Sequence, residues 1–176
     1  MITIRQAGGP DAETVRLITA EAYRRYVPRI GREPSPMLTD YAGPVRAGHA
    51  WVAEDDGAAV GIMVLELRPD HLLVENIAVR PGAQGRGAGR QLLARAEELA
   101  GELGYDEVRL YTHETMTENI AYYPRRGYTE THRGGQDGYR RVFFRKQLGG
   151  QQLGGQQLSG QQLSGQQLGG QAGPAR

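Results

Sequence analysis

The chain has 176 residues, 39% of them hydrophobic, and a formal net charge of +1. That length is enough for one domain with one proper core. Near-neutral charge gives no argument for nucleic acid as a partner, and the absence of cysteine excludes a disulfide framework, a thiolate nucleophile and a Cys-based metal site.

In chain order, Met1 to Ala7 alternates apolar and polar residues and predicts a strand. The same stretch lacks a charged n-region followed by an apolar core, so no signal peptide is read and a cytoplasmic location is expected. Asp11 follows a Gly-Gly-Pro turn and predicts the cap of a helix from Ala12 to about Tyr26, with Leu17, Ala20 and Tyr23–Arg24 as its inner stripe. Pro28 to Pro36 reads as loop, and a second short helix is expected over Pro36 to Ala47. Three strands follow, His49 to Glu54, Ala58 to Arg68 and His71 to Val79. Asp56–Gly57 is a hairpin signal between the first two. Apolar runs such as Ala58 to Leu67 fall far short of the ~20 residues a membrane helix needs, so no membrane partner is expected. A long helix is predicted from about Gly85 to Leu103, with Leu92, Leu93, Ala96, Leu99 and Leu103 apolar. Strand Glu107 to Tyr111 leads to a short helix near Met116 to Tyr123. Tyr128 to His132 and Tyr139 to Lys146 then read as a closing pair around a Gly134–Gly138 turn. Strands and helices interleave with hairpins among them, which predicts a single α/β (α+β) domain over residues 1–146: a mixed, mostly antiparallel sheet flanked by helices.

From Gln147 the chain changes character. QLGG, QQLGG, QQLSG, QQLSG and QQLGG form a five-residue repeat with one Leu per period and almost no charge. So little apolar surface does not offset chain entropy, and residues 147–176 are expected to be a disordered tail. A weak self-association tract is the alternative, since Gln-rich segments aggregate.

The richest stretch is Val74 to Leu93, VENIAVRPGAQGRGAGRQLL. An apolar strand passes through a Gly-rich turn into a helix. Gly85, Gly87 and Gly89 carry no Cβ, so the loop can curl and approach a ligand closely. The first N–H groups of the helix have no partner inside it, and the helix dipole adds positive charge there. A phosphate or pyrophosphate is the natural occupant, with Arg86 and Arg90 able to add charge-assisted hydrogen bonds. Spacing separates the candidate loops. A dinucleotide G-x-G-x-x-G fails because Arg90 stands where the third glycine belongs. A P-loop fails because Ala88 and Gly89 occupy its Lys and Ser/Thr places. What remains is Q-x-x-G-x-G at Gln84, Gly87 and Gly89.

This block, with N-I-A-V-x-P (Asn76 to Pro81) before it, resembles the acetyl-CoA signature of the GCN5-related N-acetyltransferases. N-I-A-Y-Y-P-R-R-G-Y, Asn119 to Tyr128, resembles the later motif of that family. Element order extends the resemblance over roughly Met1 to Leu148. It implies transfer of an acetyl group from acetyl-CoA, the acyl donor, to an amine. It also implies that Ile77, Ala78, Val79, Gln84, Gly85, Arg86, Gly87, Ala88, Gly89, Arg90 and Asn119 hold the cofactor. Along an exposed strand edge, Ile77 N–H would meet the thioester oxygen and Val79 N–H the pantetheine. Tyr123 would protonate the departing thiolate, its phenol being protonated at neutral pH. It keeps the family's four-residue offset to Gly127, although Tyr122 beside it is the alternative. Asn119 is otherwise a polar residue facing water.

The attacking amine must lose a proton. Glu75, two residues before Ile77, is a candidate base; the alternative is a structural Glu paired with an Arg such as Arg109. His113 is the runner-up. His113–Glu114 lacks the second His of H-E-x-x-H, so no metal is expected. The family usually forms its acceptor pocket from the first helices and their loop. Here Tyr23, Tyr26, Met37 and Tyr41 offer a wall, and Glu33 and Asp40 attract a cationic amine, unless these residues only pack the helices. No acidic run suits basic peptides, so a small-molecule amine is the expected partner. A protein N-terminal or lysine acetyltransferase, and a non-catalytic acyl-CoA-binding module, are the alternatives. Homodimers are common in the family, and nothing here locates an interface.

Overall fold

The computed structural model describes residues 1–149; residues 150–176, and with them nearly all of the expected disordered tail, lie outside the described region. Seven strands form one sheet: β1 (Ile2–Gln6), β2 (Ala50–Asp55), β3 (Ala58–Leu67), β4 (Leu72–Val79), β5 (Glu107–His113), β6 (Thr129–Gln136) and β7 (Tyr139–Gln147). Their order is β1-β2-β3-β4-β5-β7-β6. Every neighbouring pair is antiparallel except β4 with β5. The helices are α1 (Asp11–Tyr23), α2 (Val27–Ile30), α3 (Ala42–Arg46), α4 (Ala88–Glu102) and α5 (Thr117–Tyr122), with short 3-10 turns between them. This is the mixed, helix-flanked α/β sheet that the sequence predicts.

Two apolar clusters sandwich the sheet. Under α4 lie Leu92, Leu93, Ala96, Leu110, Val142 and Phe144. Under α1 lie Val15, Ile18, Ala22, Val52, Ile62 and Val64. Both faces of β3 are therefore covered, which is why Val60 to Leu65 is an unbroken apolar run apart from Gly61. Gly61 itself is crowded: a Cβ there would stand 3.2 Å from the Ala78 carbonyl and 3.2 Å from a Leu92 methyl.

Several expected elements shift. The inner stripe of α1 is Val15, Ile18, Thr19 and Ala22, and Leu17 is 41% exposed. The first helix ends at Tyr23, because the chain tightens into a 3-10 turn (Arg24–Tyr26) before α2 carries Pro28 in its first turn. The last hairpin turns at Asp137–Gly138, with φ of 52° and 75°, as Asp56–Gly57 does with 50° and 80°. Both central residues at positive φ are the hairpin geometry that matches strand twist. β6 thus runs straight through Gly134 and Gly135. β7 reaches Gln147, and Leu148 N–H donates to the Asp106 carbonyl at 2.8 Å, so the domain takes in the first residues of the expected tail.

The feature that positions the site is a fork in the sheet. β4 and β5 pair only at Leu72–Val74 with Val108–Leu110. Beyond them β4 stays with β3 and β5 stays with β7. At the same point Val64 faces Asn76 while Leu65 faces Val74, leaving Glu75 as the extra residue of a bulge. Bulges bend a strand and re-aim its side chains, and this one lies at the mouth of the fork.

Candidate functional site

The Gly-rich turn lies just beyond the end of β4. Arg80 leaves the strand, Pro81–Ala83 makes one 3-10 turn, and α4 begins at Ala88. Gln84 Nε2 donates to the Val79 carbonyl at 3.1 Å and clips the loop to the strand end. Gly85 and Gly87 have φ of 80° and 96°, a region open to glycine and strained for other residues. Gly87 is the N-cap, and no side chain caps the helix. The first helical bond runs from Gln91 N–H to the Gly87 carbonyl at 3.0 Å, so the N–H groups of Ala88, Gly89 and Arg90 precede the hydrogen-bonded ladder. That is an anion cradle made of backbone. Arg86 and Arg90 both line the groove in front of it, and the Arg86 guanidinium also pairs with Asp55 at the end of β2.

The hydrogen-bond phase of β4 decides which amides face the fork. Arg80 N–H donates to the Val60 carbonyl at 2.8 Å. In an antiparallel pair such bonds alternate, so Ala78 and Asn76 also address β3. Ile77 and Val79 therefore point the other way, into the open side, and the Gln84 clip to the Val79 carbonyl agrees.

Across the fork stands Tyr123, 5% exposed, packed on Tyr128 and Phe144 with ring centroids 6.0 and 5.4 Å away. Its hydroxyl has no protein partner among the described residues. The single fully enclosed polar side-chain atom left unpaired there is Arg126 Nε, so the Tyr123 hydroxyl reaches open space. Burial pushes its pKa up, so it stays a proton donor through neutral pH. Tyr122 sits instead at the loop, its hydroxyl 3.6 Å from where a Cβ on Gly89 would be. Asn119 lines both cavities and donates from Nδ2 to Thr112 Oγ1 at 3.1 Å, while its Oδ1 has no partner among the described residues.

Two cavities meet here. A long groove runs along Ala78, Val79 and the Gln84–Arg90 loop. A second space of ≈ 530 Å³, mouth included, opens between β4 and β5. Both are lined by Tyr23, Ile77, Asn119 and Tyr123. In the second, Glu75 accepts a 2.6 Å hydrogen bond from Tyr111. Burial raises the Glu75 pKa, with the Tyr111 bond opposing. Arg109 is not its partner; that guanidinium binds Glu107 and, at 3.2 Å, Asp70. His113 lines the same space, its Nδ1 accepting Thr115 N–H at 3.2 Å, and burial lowers its pKa and keeps the ring neutral at pH 7.

The expected acceptor wall is only partly where the sequence puts it. Tyr23 faces both cavities, but Tyr26 faces the groove alone. Asp40 is exposed and accepts Ala42 N–H at 3.0 Å at the start of α3, and Glu33 is exposed, its carbonyl taking the Tyr139 hydroxyl at 2.7 Å. Tyr41 is interior, donating to the Pro36 carbonyl at 2.7 Å. Ile30, Pro34, Ser35 and Pro36 of the same segment form the wall instead. Sequence reasoning missed Tyr111 and Arg141. Tyr111 stands two residues before His113, so strand alternation puts both on one face, and that signal was available.

It also missed Asn76, which lies between Glu75 and Ile77 and is 3% exposed. Its Nδ2 donates to Thr19 Oγ1 at 3.1 Å and to the Tyr41 hydroxyl at 2.9 Å, and its Oδ1 accepts the Tyr23 hydroxyl at 3.0 Å. One amide thus ties the forked strand to α1 and, through Tyr41, to the Pro36 wall. Asn76→Ala takes a partner from three hydroxyls, two of them on the buried residues Thr19 and Tyr41. We expect it to lower stability by about 2–4 kcal/mol, read as a shift in urea midpoint at unchanged slope.

Fork, Gly-rich loop and abutting cavities give an α/β domain whose open strand edge runs from a helix N-terminus into a second cavity. The family model described as the Acetyltransferase (GNAT) family matches residues 12–128, and the chain belongs to that family. Among curated relatives, mycothiol acetyltransferase of Beutenbergia cavernae is 37% identical over 82 residues, 45% of this chain and 28% of that protein. The uncharacterized N-acetyltransferase YvbK of Bacillus subtilis is 34% identical over 97 residues, 54% of this chain and 61% of that protein. The chain thus spans between about a quarter and three-fifths of the length of these relatives. The PaiA N-acetyltransferase of Thermoplasma acidophilum, solved in complex with coenzyme A, shares the fold with a TM-score of 0.72 at 19% identity, over 84% of this chain and 99% of that one. Among the described residues no helix is long and apolar enough to cross a membrane, and no three His, Asp or Glu side chains gather as a metal site.

Proposed function

We propose that this chain moves the acetyl group of acetyl-CoA onto a primary amine of a small molecule by direct attack. The carrying observation is the meeting of the two cavities at Ile77, Asn119 and Tyr123. The loop Gln84–Arg90 takes the pyrophosphate, and the open amide of Val79 pairs with the pantetheine as a neighbouring strand would. The thioester then lies between Ile77 N–H and the Tyr123 hydroxyl. The amine arrives as an ammonium and first gives one proton to solvent; the neutral amine then attacks the thioester carbon, and the carbonyl oxygen gains charge beside Ile77 N–H. Losing one such donor costs about 3 kcal/mol in other acyl-transfer enzymes. The C–S bond breaks, the thiolate takes the Tyr123 proton, and the amide nitrogen loses its extra proton toward Glu75. The products are the acetamide and free CoA thiol. The confined second cavity favours a small acceptor over a polypeptide.

Glu75 acts only when ionised, and burial lifts its pKa above the ordinary value of 4.5. We expect kcat/KM to fall with acidification through that raised pKa. In Glu75→Gln the part of this limb that belongs to Glu75 disappears, leaving only the fall set by the amine's own protonation, and the rate drops about 10²–10⁴-fold, measured as a pH–rate profile.

The test of the function is calorimetric titration with acetyl-CoA, with NADH and ATP as controls, followed by free-thiol release with an amine panel. Selective micromolar binding with turnover supports an enzyme. Binding without turnover of any amine assigns an acyl-CoA-binding module, and no binding removes the acetyl-CoA reading.

A further inference from the structure

The second cavity contains a charge that the acetyl-transfer chemistry does not use. Arg141 on β7 faces His113 across the β5–β7 pair, on the same side of the sheet as Tyr111. Its side chain is only 7% exposed. A buried guanidinium is costly unless paired. Yet its nearest carboxylate among the described residues is Asp137 at 3.8 Å, itself 72% exposed. Its hydrogen bonds go to neutral oxygens, Gln136 Oε1 at 2.8 Å and Ser35 Oγ at a long 3.4 Å. That uses two of five N–H donors. Its Nε has no partner among the described residues and is not one of the fully enclosed orphans, so that donor at least is not sealed in. Arg141 thus lines the cavity with a guanidinium that has no close carboxylate among the described residues.

The position of this charge is as informative as its sign. The guanidinium lies 4.0 Å over the Tyr111 ring, and the Tyr111 hydroxyl holds Glu75 at 2.6 Å. A cation and a carboxylate thus share one wall, separated by one tyrosine ring. Around them the wall is mixed, with Ile30, Pro34, Pro36 and Met116 as its apolar part and Thr112, His113 and Asn119 among its polar part.

We propose that the acceptor is a zwitterion, a free amino acid or close analogue, whose carboxylate is bound by Arg141 while its amine faces Glu75 and the thioester. The inference rests on the acetyl-transfer reading of the same site and names its substrate class. Arg141 supplies the paired hydrogen bonds that suit a planar carboxylate. Ser35, at the start of a 3-10 turn, adds a hydroxyl to the same wall. The apolar part of the wall, Ile30, Pro34, Pro36 and Met116, takes the side chain.

The test titrates CoA-saturated protein with apolar amino acids, each beside its carboxamide and its decarboxylated amine. Free acids are expected to bind roughly 10- to 150-fold more tightly than their carboxamides, the range of a charged hydrogen-bonded contact. Arg141→Gln should bring acid and carboxamide together, and Arg141→Lys should restore part of the difference. Unchanged acetyl-CoA affinity and circular dichroism show that the variants fold; if they do not, the wild-type comparison alone decides. Equal affinity for acid and carboxamide overturns the proposal, as does an acid preference that survives Arg141→Gln, or no amino acid binding at all. Failure of the acetyl-transfer reading shows separately, as absent acetyl-CoA binding or absent thiol release with ligands that do bind.

Discussion

Gly87→Glu is expected to bring acetyl-CoA binding below detection. Gly87 caps α4 at φ 96°, with nothing within 4 Å of where a Cβ would stand. Space is therefore not the obstacle; conformation and charge are. An L-residue held at that φ costs about 1–3 kcal/mol. The carboxylate would project at the N–H groups of Ala88, Gly89 and Arg90 and compete for them as an N-terminal acid does. It would also repel a pyrophosphate from the position it needs. Gly87→Ala separates the two effects, because it keeps the strain and omits the charge. We expect Gly87→Ala to lose some stability and about tenfold in affinity, and Gly87→Glu to lose at least a further tenfold, both by calorimetry. Equal affinities for the two variants would mean that no anion sits at the cap.

What the sequence disclosed and what it hid differ in range. The turn from β4 to α4 is local: positive φ at Gly85 and Gly87, the Gln84 clip and the uncapped helix start all arise within a dozen residues. Asn119 and Tyr123 are local too, four residues apart on one helical face. The cavity chemistry is not. Glu75 meets Tyr111 across 36 positions, and Arg141 meets Ser35 across 106. No periodicity announces such pairs. Nor does any pattern show that β4 and β5 part after Val74, since the strand propensity of Glu75 to Val79 is the same paired or open. The misread stripe of α1 has the same origin: Thr19 faces inward because Asn76 waits there, and polarity alone suggested the outside.

Tyr123→Phe is expected to lower kcat by about 10²–10⁴-fold while leaving acetyl-CoA affinity unchanged. The hydroxyl bonds to no protein group among the described residues, so its removal orphans nothing. The ring, with its contacts to Tyr128 and Phe144, remains. Stability should hold, which distinguishes loss of a proton donor from loss of packing. The raised pKa sets the direction of the pH profile: a donor must be protonated, so the wild-type rate should not decline on the alkaline side until well above the ordinary tyrosine value of 10. Tyr122→Phe is the matched control. Its hydroxyl lies at Gly89 and its ring carries the Arg126 guanidinium 5.0 Å from the centroid, so its effect should fall on cofactor affinity rather than kcat. A kcat loss in Tyr122→Phe with none in Tyr123→Phe would exchange the two roles. No kcat loss in either would leave the thiolate to take its proton from water.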